Sequence, residues 1–205
     1  IQKLQEELDR VRRHRADYRR QRRRQGISTI SLVGYTNAGK STLLNAITQS
    51  NVTAEDKLFS TLDPITRRVI LPNDTTVLLT DTVGFIQKLP TTLIAAFRAT
   101  LEEIQAADLI LHVIDINHPN VLGQDQAVQE ILEDIGLATR PRIVALNKAD
   151  SLPSHQTTTS KIKSLKLDRD GVPAYLISAK TGWGLQPLLY ALQSAVDNQS
   201  MDMER

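Results

Sequence analysis

Short runs of β-branched and aliphatic residues recur from residue 29 onward, separated by longer stretches in which apolar positions return every three or four residues. The runs Thr29–Val33, Arg68–Leu71, Val77–Thr80, Leu109–Ile114, Ile143–Leu146 and Ala174–Ile177 predict six strands. The 3.6-type pattern predicts helices over about 40–49, 90–106, 121–135, 155–166 and 185–197. Helices between most strands require parallel neighbours joined by crossovers. The second and third strands are the exception, because Pro72, Asn73 and Asp74 leave room only for a hairpin-type turn. The expected fold class is therefore α/β, with a six-stranded, mostly parallel sheet and one antiparallel edge strand. In such sheets ligands sit beyond the carboxyl ends of the strands.

A different pattern precedes residue 27. Ile1, Leu4, Leu8, Val11 and Tyr18 fall on one helical face and Gly26 supplies a stop, which predicts an arginine-rich amphipathic α-helix. Residues 1–25 hold ten Lys and Arg against Glu6, Glu7, Asp9 and Asp17, a charge of +6 that leaves −4 for the other 180 residues of a chain at +2 overall. Two readings stay open for this helix. It is a connector with a solvated basic face, or it neutralises a nucleic-acid backbone without reading sequence. Tyr18 alone makes no stacking array for single strands. The expected domains are a linker helix over 1–26, a catalytic domain over 27–198 and a polar tail over 199–205.

Composition narrows the chemistry. Cysteine is absent among the 205 residues, which excludes thiolate metal sites and a cysteine nucleophile. No apolar run approaches bilayer length and residues 1–25 lack the apolar core of a secretory signal. Ile1 in place of an initiator methionine predicts a piece of a longer chain, acting in the cytoplasm, or in an organelle stroma or matrix if a transit peptide was removed.

Chemistry enters after the first strand. Gly34, Tyr35, Thr36, Asn37, Ala38, Gly39, Lys40 and Ser41 match the phosphate-loop spacing G-x-x-x-x-G-K-S/T in the strand–helix context it needs, and Thr42 follows in the first helical turn. Inward N–H groups and the helix N-terminus form an anion nest. Lys40 is placed to neutralise the outer phosphates and Ser41 to put a hydroxyl on Mg²⁺. Asp81, Thr82, Val83 and Gly84 have the form D-x-x-G, with Asp81 on Mg²⁺ through water and the Gly84 N–H at a γ-phosphate. Thr61 is the best second hydroxyl for the metal, with Thr66 as fallback.

The base is chosen elsewhere. Asn147, Lys148, Ala149 and Asp150 after the fifth strand have the form N-K-x-D. A carboxylate accepts from the guanine ring N–H and amine, and is left unpaired by adenine; such mismatches are rejected by about 10⁴ or more. Asn147 is expected to brace the phosphate loop and meet the other edge of the base, and Lys148 to lay its aliphatic stem on the ring face. Ser178, Ala179 and Lys180 follow the last strand, and the Ala179 N–H is the expected donor to the guanine oxygen.

These elements together resemble P-loop, Ras-like GTPases of the translation-factor class over residues 27–197. Closer likeness lies in the phosphate loop, Leu58 to Pro64, Asp81 to Ile86, Leu89 with Pro90, Ala96 with Phe97, and Thr100 to Glu103, which are similar to the HflX family of ribosome-associated GTPases. The resemblance implies GTP and GDP as ligands and binding to the large ribosomal subunit and its RNA through the arginine-rich helix. It also implies dissociation or rescue of ribosomes and a GTPase stimulated by them, with Lys40, Thr61 and Gly84 serving catalysis. Some relatives are reported to use ATP. A monomer is the expected state. Similarity to potassium-dependent GTPases puts Asn37 at a K⁺ position, against a reading in which it bonds its own loop.

Phe85 and Ile86 stand where many Ras-like enzymes carry a water-orienting glutamine, so slow intrinsic hydrolysis is expected; Gln87 is the nearby substitute. His112 is expected as a satisfied core residue rather than a base, Asp115 and His118 either close the turn or reach the nucleotide edge, and Trp183 either packs the loop after Lys180 or stacks on RNA. His14 and His155 offer no paired metal ligand.

Overall fold

The computed structural model describes residues 26–48, 64–85, 101–152 and 171–203. The helices expected over 1–26 and 155–166, most of the one over 90–106, and Thr61, Ile86, Gln87, His14 and His155 lie outside the described residues. The six strands are β1 (Thr29–Val33), β2 (Ile65–Ile70), β3 (Thr76–Asp81), β4 (Leu109–Asp115), β5 (Arg142–Asn147) and β6 (Ala174–Leu176). Helices α1 (Lys40–Thr48), α2 (Val121–Asp134) and α3 (Leu185–Met203) flank them, with a helical segment at 101–106.

The sheet order is β2-β3-β1-β4-β5-β6, and every neighbouring pair is parallel except β2 with β3. β4 is buried from Leu109 through Ile114, a run apolar but for His112, as a strand covered on both faces requires. β2 lies at the edge and exposes Arg67, Arg68 and Ile70. Charged edge positions discourage pairing with another chain.

β2 begins at Ile65, three residues before the expected start. The extra length comes from ladder pairs Ile65 with Asp81 and Thr66 with Thr80, where the two threonine hydroxyls share a hydrogen bond of 2.9 Å. Polar cross-strand pairs of this kind carry no hydrophobic periodicity to betray them. The turn holds as expected, closed by Asp74 N–H to the Leu71 carbonyl and by Thr75 N–H to Asn73 Oδ1 at 3.1 Å.

Two layers of side chains cover the sheet. On one face Ile30, Leu32, Leu79, Leu109 and Leu111 pack with Leu43 and Leu44 of α1 and with Leu188, Leu192 and Val196 of α3. On the other, Val33, Phe85 and Ile110 meet Ile104 and Val128 and Leu132 of α2. α3 runs to Met203, so the polar tail expected from residue 199 is helical through most of its length. Gln199 supports this extension by donating Nε2 to the Asp108 carbonyl at 3.0 Å. The strand order reverses at β1, whose neighbours are β3 and β4, so the loop leaving β1 opens at the switch point where such sheets bind ligands. No described helix is long and apolar enough to cross a membrane.

Candidate nucleotide-binding site

The loop from Gly34 to Gly39 leaves β1 and α1 starts at Lys40, as the spacing predicts. Asn37 sits in the loop at φ +61 with its side chain exposed. No hydrogen bond of its side chain to a described residue is found, so the loop-bonding reading has no support here. Gly39 has φ +94, and a Cβ there would strike Asn147 Nδ2. Only glycine combines that backbone with that contact.

Lys40 is buried and donates Nζ to the carbonyls of Gly34 at 3.2 Å and Tyr35 at 3.1 Å. Burial pushes its ammonium down to about 8 from 10.5, with the Asp81 carboxylate acting in the opposite sense. Asp81 ends β3, fully buried, and its Oδ2 accepts from Ser41 Oγ at 2.6 Å. The segment beyond is tied to the phosphate loop by Phe85 N–H to the Gly34 carbonyl at 3.1 Å and Thr36 N–H to the Phe85 carbonyl at 3.0 Å. Gly84 is squeezed between them: a Cβ would lie 2.8 Å from Thr36 Cα and 3.0 Å from Lys40 Nζ.

The residues fit a magnesium ion. Ser41 and Asp81 juxtapose a hydroxyl and a carboxylate, both hard oxygen donors, beside the phosphate loop. Among the described residues no group of three or more His, Asp and Glu forms a metal cage. Mg²⁺ characteristically takes one or two protein oxygens and completes its shell with phosphate and water. Thr66, the fallback hydroxyl, does not join the site, because it is held within the sheet by Thr80.

Asn147 joins the two halves. It is buried at the end of β5, donates Nδ2 to the Ala38 carbonyl at 2.9 Å and accepts the Ala179 N–H on Oδ1 at 2.9 Å. The expected brace is thus in place, but the N–H expected to meet guanine oxygen is engaged by Asn147. An amide offering both a donor and an acceptor satisfies both buried backbone groups at once. Lys148 adopts φ +66 and its Nζ lies 2.9 Å from Asp115 Oδ2. Asp150 is exposed and accepts from Ser178 Oγ at 2.6 Å. The phosphate loop, D-x-x-G, N-K-x-D and Ser178–Lys180 segments therefore form one connected set, and Lys180 itself is exposed.

Sequence reasoning missed the pairing of Asp115 with Lys148, though the turn it expected is present: Asp115 Oδ1 accepts Asn117 N–H at 3.0 Å, and His118 Nδ1 accepts Asn120 N–H at 3.1 Å. His112 is buried, but its Nδ1 has no hydrogen-bond partner. Asp125 Oδ1 stands 3.7 Å away, too far for a hydrogen bond, and burial with the Arg142 and Lys40 charges pushes the imidazole down to about 3, so it is neutral and forms no ion pair. The expectation of a satisfied histidine is corrected accordingly: an apolar strand predicts burial but not which polar atom lies across the layer. Trp183 is 47% exposed, and its backbone carbonyl accepts the Ser178 N–H to close the loop.

The doubly covered sheet with these joined loops defines a P-loop GTPase domain, and the family model described as 50S ribosome-binding GTPase matches residues 29–148. Among curated relatives, GTPase HflX of Lacrimispora saccharolytica is 44% identical over 98% of this chain, and GTPase HflX of Escherichia coli is 41% identical over 97%. The chain belongs to the HflX family of GTPases. It spans 46% of the length of each of those two relatives. Among solved structures, a GTP-binding protein from the archaeon Sulfolobus solfataricus in complex with GDP is similar at a TM-score of 0.68 and 26% identity, over 92% of this chain and 58% of that one.

Proposed function

We propose that residues 27–198 bind GTP with Mg²⁺ and hydrolyse it to GDP and phosphate, and that the longer protein couples this switch to the large ribosomal subunit. The observation that carries the reading is Asn147, whose one side chain ties the phosphate loop to the segments that hold Asp150 and Ala179. Gly34 to Gly39 cradle the phosphates and Lys40 exchanges its carbonyl partners for phosphate oxygens. Ser41 and Asp81 would hold Mg²⁺, with Thr61 joining them, and the metal supplies charge neutralisation at the phosphates. The Gly84 N–H faces the γ-phosphate. Asp150 reads the base edge with its second oxygen, since the first is held by Ser178.

Hydrolysis forms a bond from water to the γ-phosphorus and breaks the bond to the oxygen bridging to the β-phosphorus, which leaves with GDP. Phe85 is fully buried in the core and holds no water, so water-positioning falls to groups outside it. That burial also favours a second reading, a nucleotide-controlled binding module with little turnover of its own. Asn37, exposed on the loop, offers an amide oxygen to K⁺. The family description and the basic charge of residues 1–25 support ribosomal RNA as the partner of that segment. Bacterial relatives support a cytoplasmic setting.

Base choice and turnover are tested together. Asp150→Asn is expected to weaken GTP by about 100-fold or more and to strengthen xanthosine triphosphate, because the amide reverses one donor–acceptor match. Unchanged preference contradicts the base assignment. Single-turnover hydrolysis with and without large ribosomal subunits, in K⁺ and in Na⁺, separates the enzyme from the binding module, and inactivity throughout rejects the enzyme.

A further inference from the structure

The residues leaving β4 have more to do than close a turn. Asp115 is the last residue of β4 and stands in register with Asn147 of β5. Its carboxylate is divided: Oδ1 takes the Asn117 N–H at 3.0 Å and Oδ2 lies 2.9 Å from Lys148 Nζ. Asn117 then donates its own Nδ2 to the Lys148 carbonyl at 2.7 Å, an oxygen that also accepts Ser151 N–H at 3.1 Å. One three-residue segment thus grips Lys148 at its backbone and at the tip of its side chain.

Lys148 needs this grip. It stands at φ +66 and ψ 34, a left-handed conformation that disfavours a residue bearing a Cβ. A free lysine side chain also carries substantial rotamer entropy. Holding the ammonium at Asp115 removes that freedom before any ligand arrives, which is preorganisation. The pair is only half-buried, with 35% of the Lys148 side chain and 14% of the Asp115 side chain exposed, so its strength is that of a partly screened ion pair.

We infer that Asp115 and Asn117 are positioning residues that fix the Lys148 stem as a plate for the face of the bound purine, so that the β4 exit sets how long the nucleotide stays. The inference rests on the reading of Asn147 to Asp150 as the base site. It separates face from edge. Contact between an alkyl stem and a ring face does not depend on the substituents that Asp150 reads, so loss of the clamp weakens GDP and IDP by one factor and leaves their ratio unchanged.

Dissociation rates of GDP and IDP from the full 205-residue chain, measured by displacement in stopped flow, test this. Asp115→Asn keeps an oxygen for the Asn117 N–H and removes the ion pair. It is expected to raise both rates roughly fivefold, with their ratio constant. Lys148→Met is expected to raise them similarly, and adding Asp115→Asn to it to change nothing further. If Asp115→Asn does not fold, Lys148→Met and Asn117→Ala carry the same expectation. His118→Ala disturbs the same turn without touching Lys148 and should stay within about twofold of wild type. Rates unchanged in Asp115→Asn, a shifted GDP to IDP ratio, additive effects in the double variant, or an equal rise in His118→Ala would each overturn the clamp while leaving the base site standing. A wild-type chain that holds GDP no better than ADP overturns the base site and the clamp together.

Discussion

Asn147→Ala should destabilise the chain even where no nucleotide is present. The side chain is 2% exposed and makes two hydrogen bonds of 2.9 Å, one to the Ala38 carbonyl and one from the Ala179 N–H. Both backbone partners are buried too, at 1% and 5% exposure for their residues. Truncation therefore strands one acceptor and one donor. Each stranded group costs about 1–3 kcal/mol, so the loss is about 2–6 kcal/mol. Against a typical stability of about 5–15 kcal/mol the variant still folds. Equilibrium urea unfolding in nucleotide-free buffer reads the change directly. With a slope of about 2 kcal/mol per molar urea, the midpoint should fall by about 1–3 M. Asp150→Asn, an exposed site, is the comparator and should move the midpoint little. A fall below about 0.5 kcal/mol for Asn147→Ala would mean that the two halves of the site are not joined through this amide, and the reasoning would fail.

Two further outcomes follow from the same geometry. Lys40 is charged in folded and unfolded chains alike below pH 8, so folding bears its full desolvation penalty there; between about 8 and 10.5 the unfolded chain binds the proton the folded chain has lost, and stability rises by about 3 kcal/mol over that window. Urea unfolding of wild type against Lys40→Met at pH 7 to 10 isolates that slope, and Lys40→Met should be the more stable of the two at pH 7 while losing triphosphate affinity. Gly84→Ala would push a methyl group to 2.8 Å from Thr36 Cα and 3.0 Å from Lys40 Nζ. Displacing one N–H donor of this kind lowers turnover by about 100-fold, with GDP dissociation changed far less, and normal single-turnover hydrolysis would refute the close packing.

How much was legible in the sequence depended on whether a signal was local. The six strands, the hairpin at Pro72 to Asp74 and the start of α1 at Lys40 were readable, because apolar runs and turn residues act over a few positions. The brace from Asn147 to Ala38 was readable for a different reason: N-K-x-D and the phosphate loop are motifs whose partners are fixed by the sheet order. What was not readable was divided hydrogen bonding across elements. Asp115 and Lys148 are distant in sequence and neither belongs to a periodic pattern, so nothing announced that one carboxylate would serve both a turn and an ammonium. The Ala179 N–H, the Thr66 to Thr80 pair and the unpartnered His112 Nδ1 were hidden likewise, since each depends on which atom of a side chain faces which neighbour. The helical run past residue 198 escaped because Asn198, Gln199 and Ser200 look like a tail until the Gln199 contact to Asp108 is known.

The contacts within the site also bear on how it distinguishes ligands. Lys40 pairs with two loop carbonyls, Ser41 with Asp81, and Ala179 with Asn147. A nucleotide therefore exchanges partners more than it adds them, and each matched exchange contributes only about 0.5–1.5 kcal/mol. Affinity must then accumulate over many phosphate and ring contacts. Selectivity works the other way. A ligand that draws Asp150 toward its edge and offers no donor leaves a carboxylate oxygen turned from water without a partner, and that penalty is larger than any single matched bond. Weak gains for the right base and a large loss for the wrong one let the site release its product while still rejecting the wrong purine.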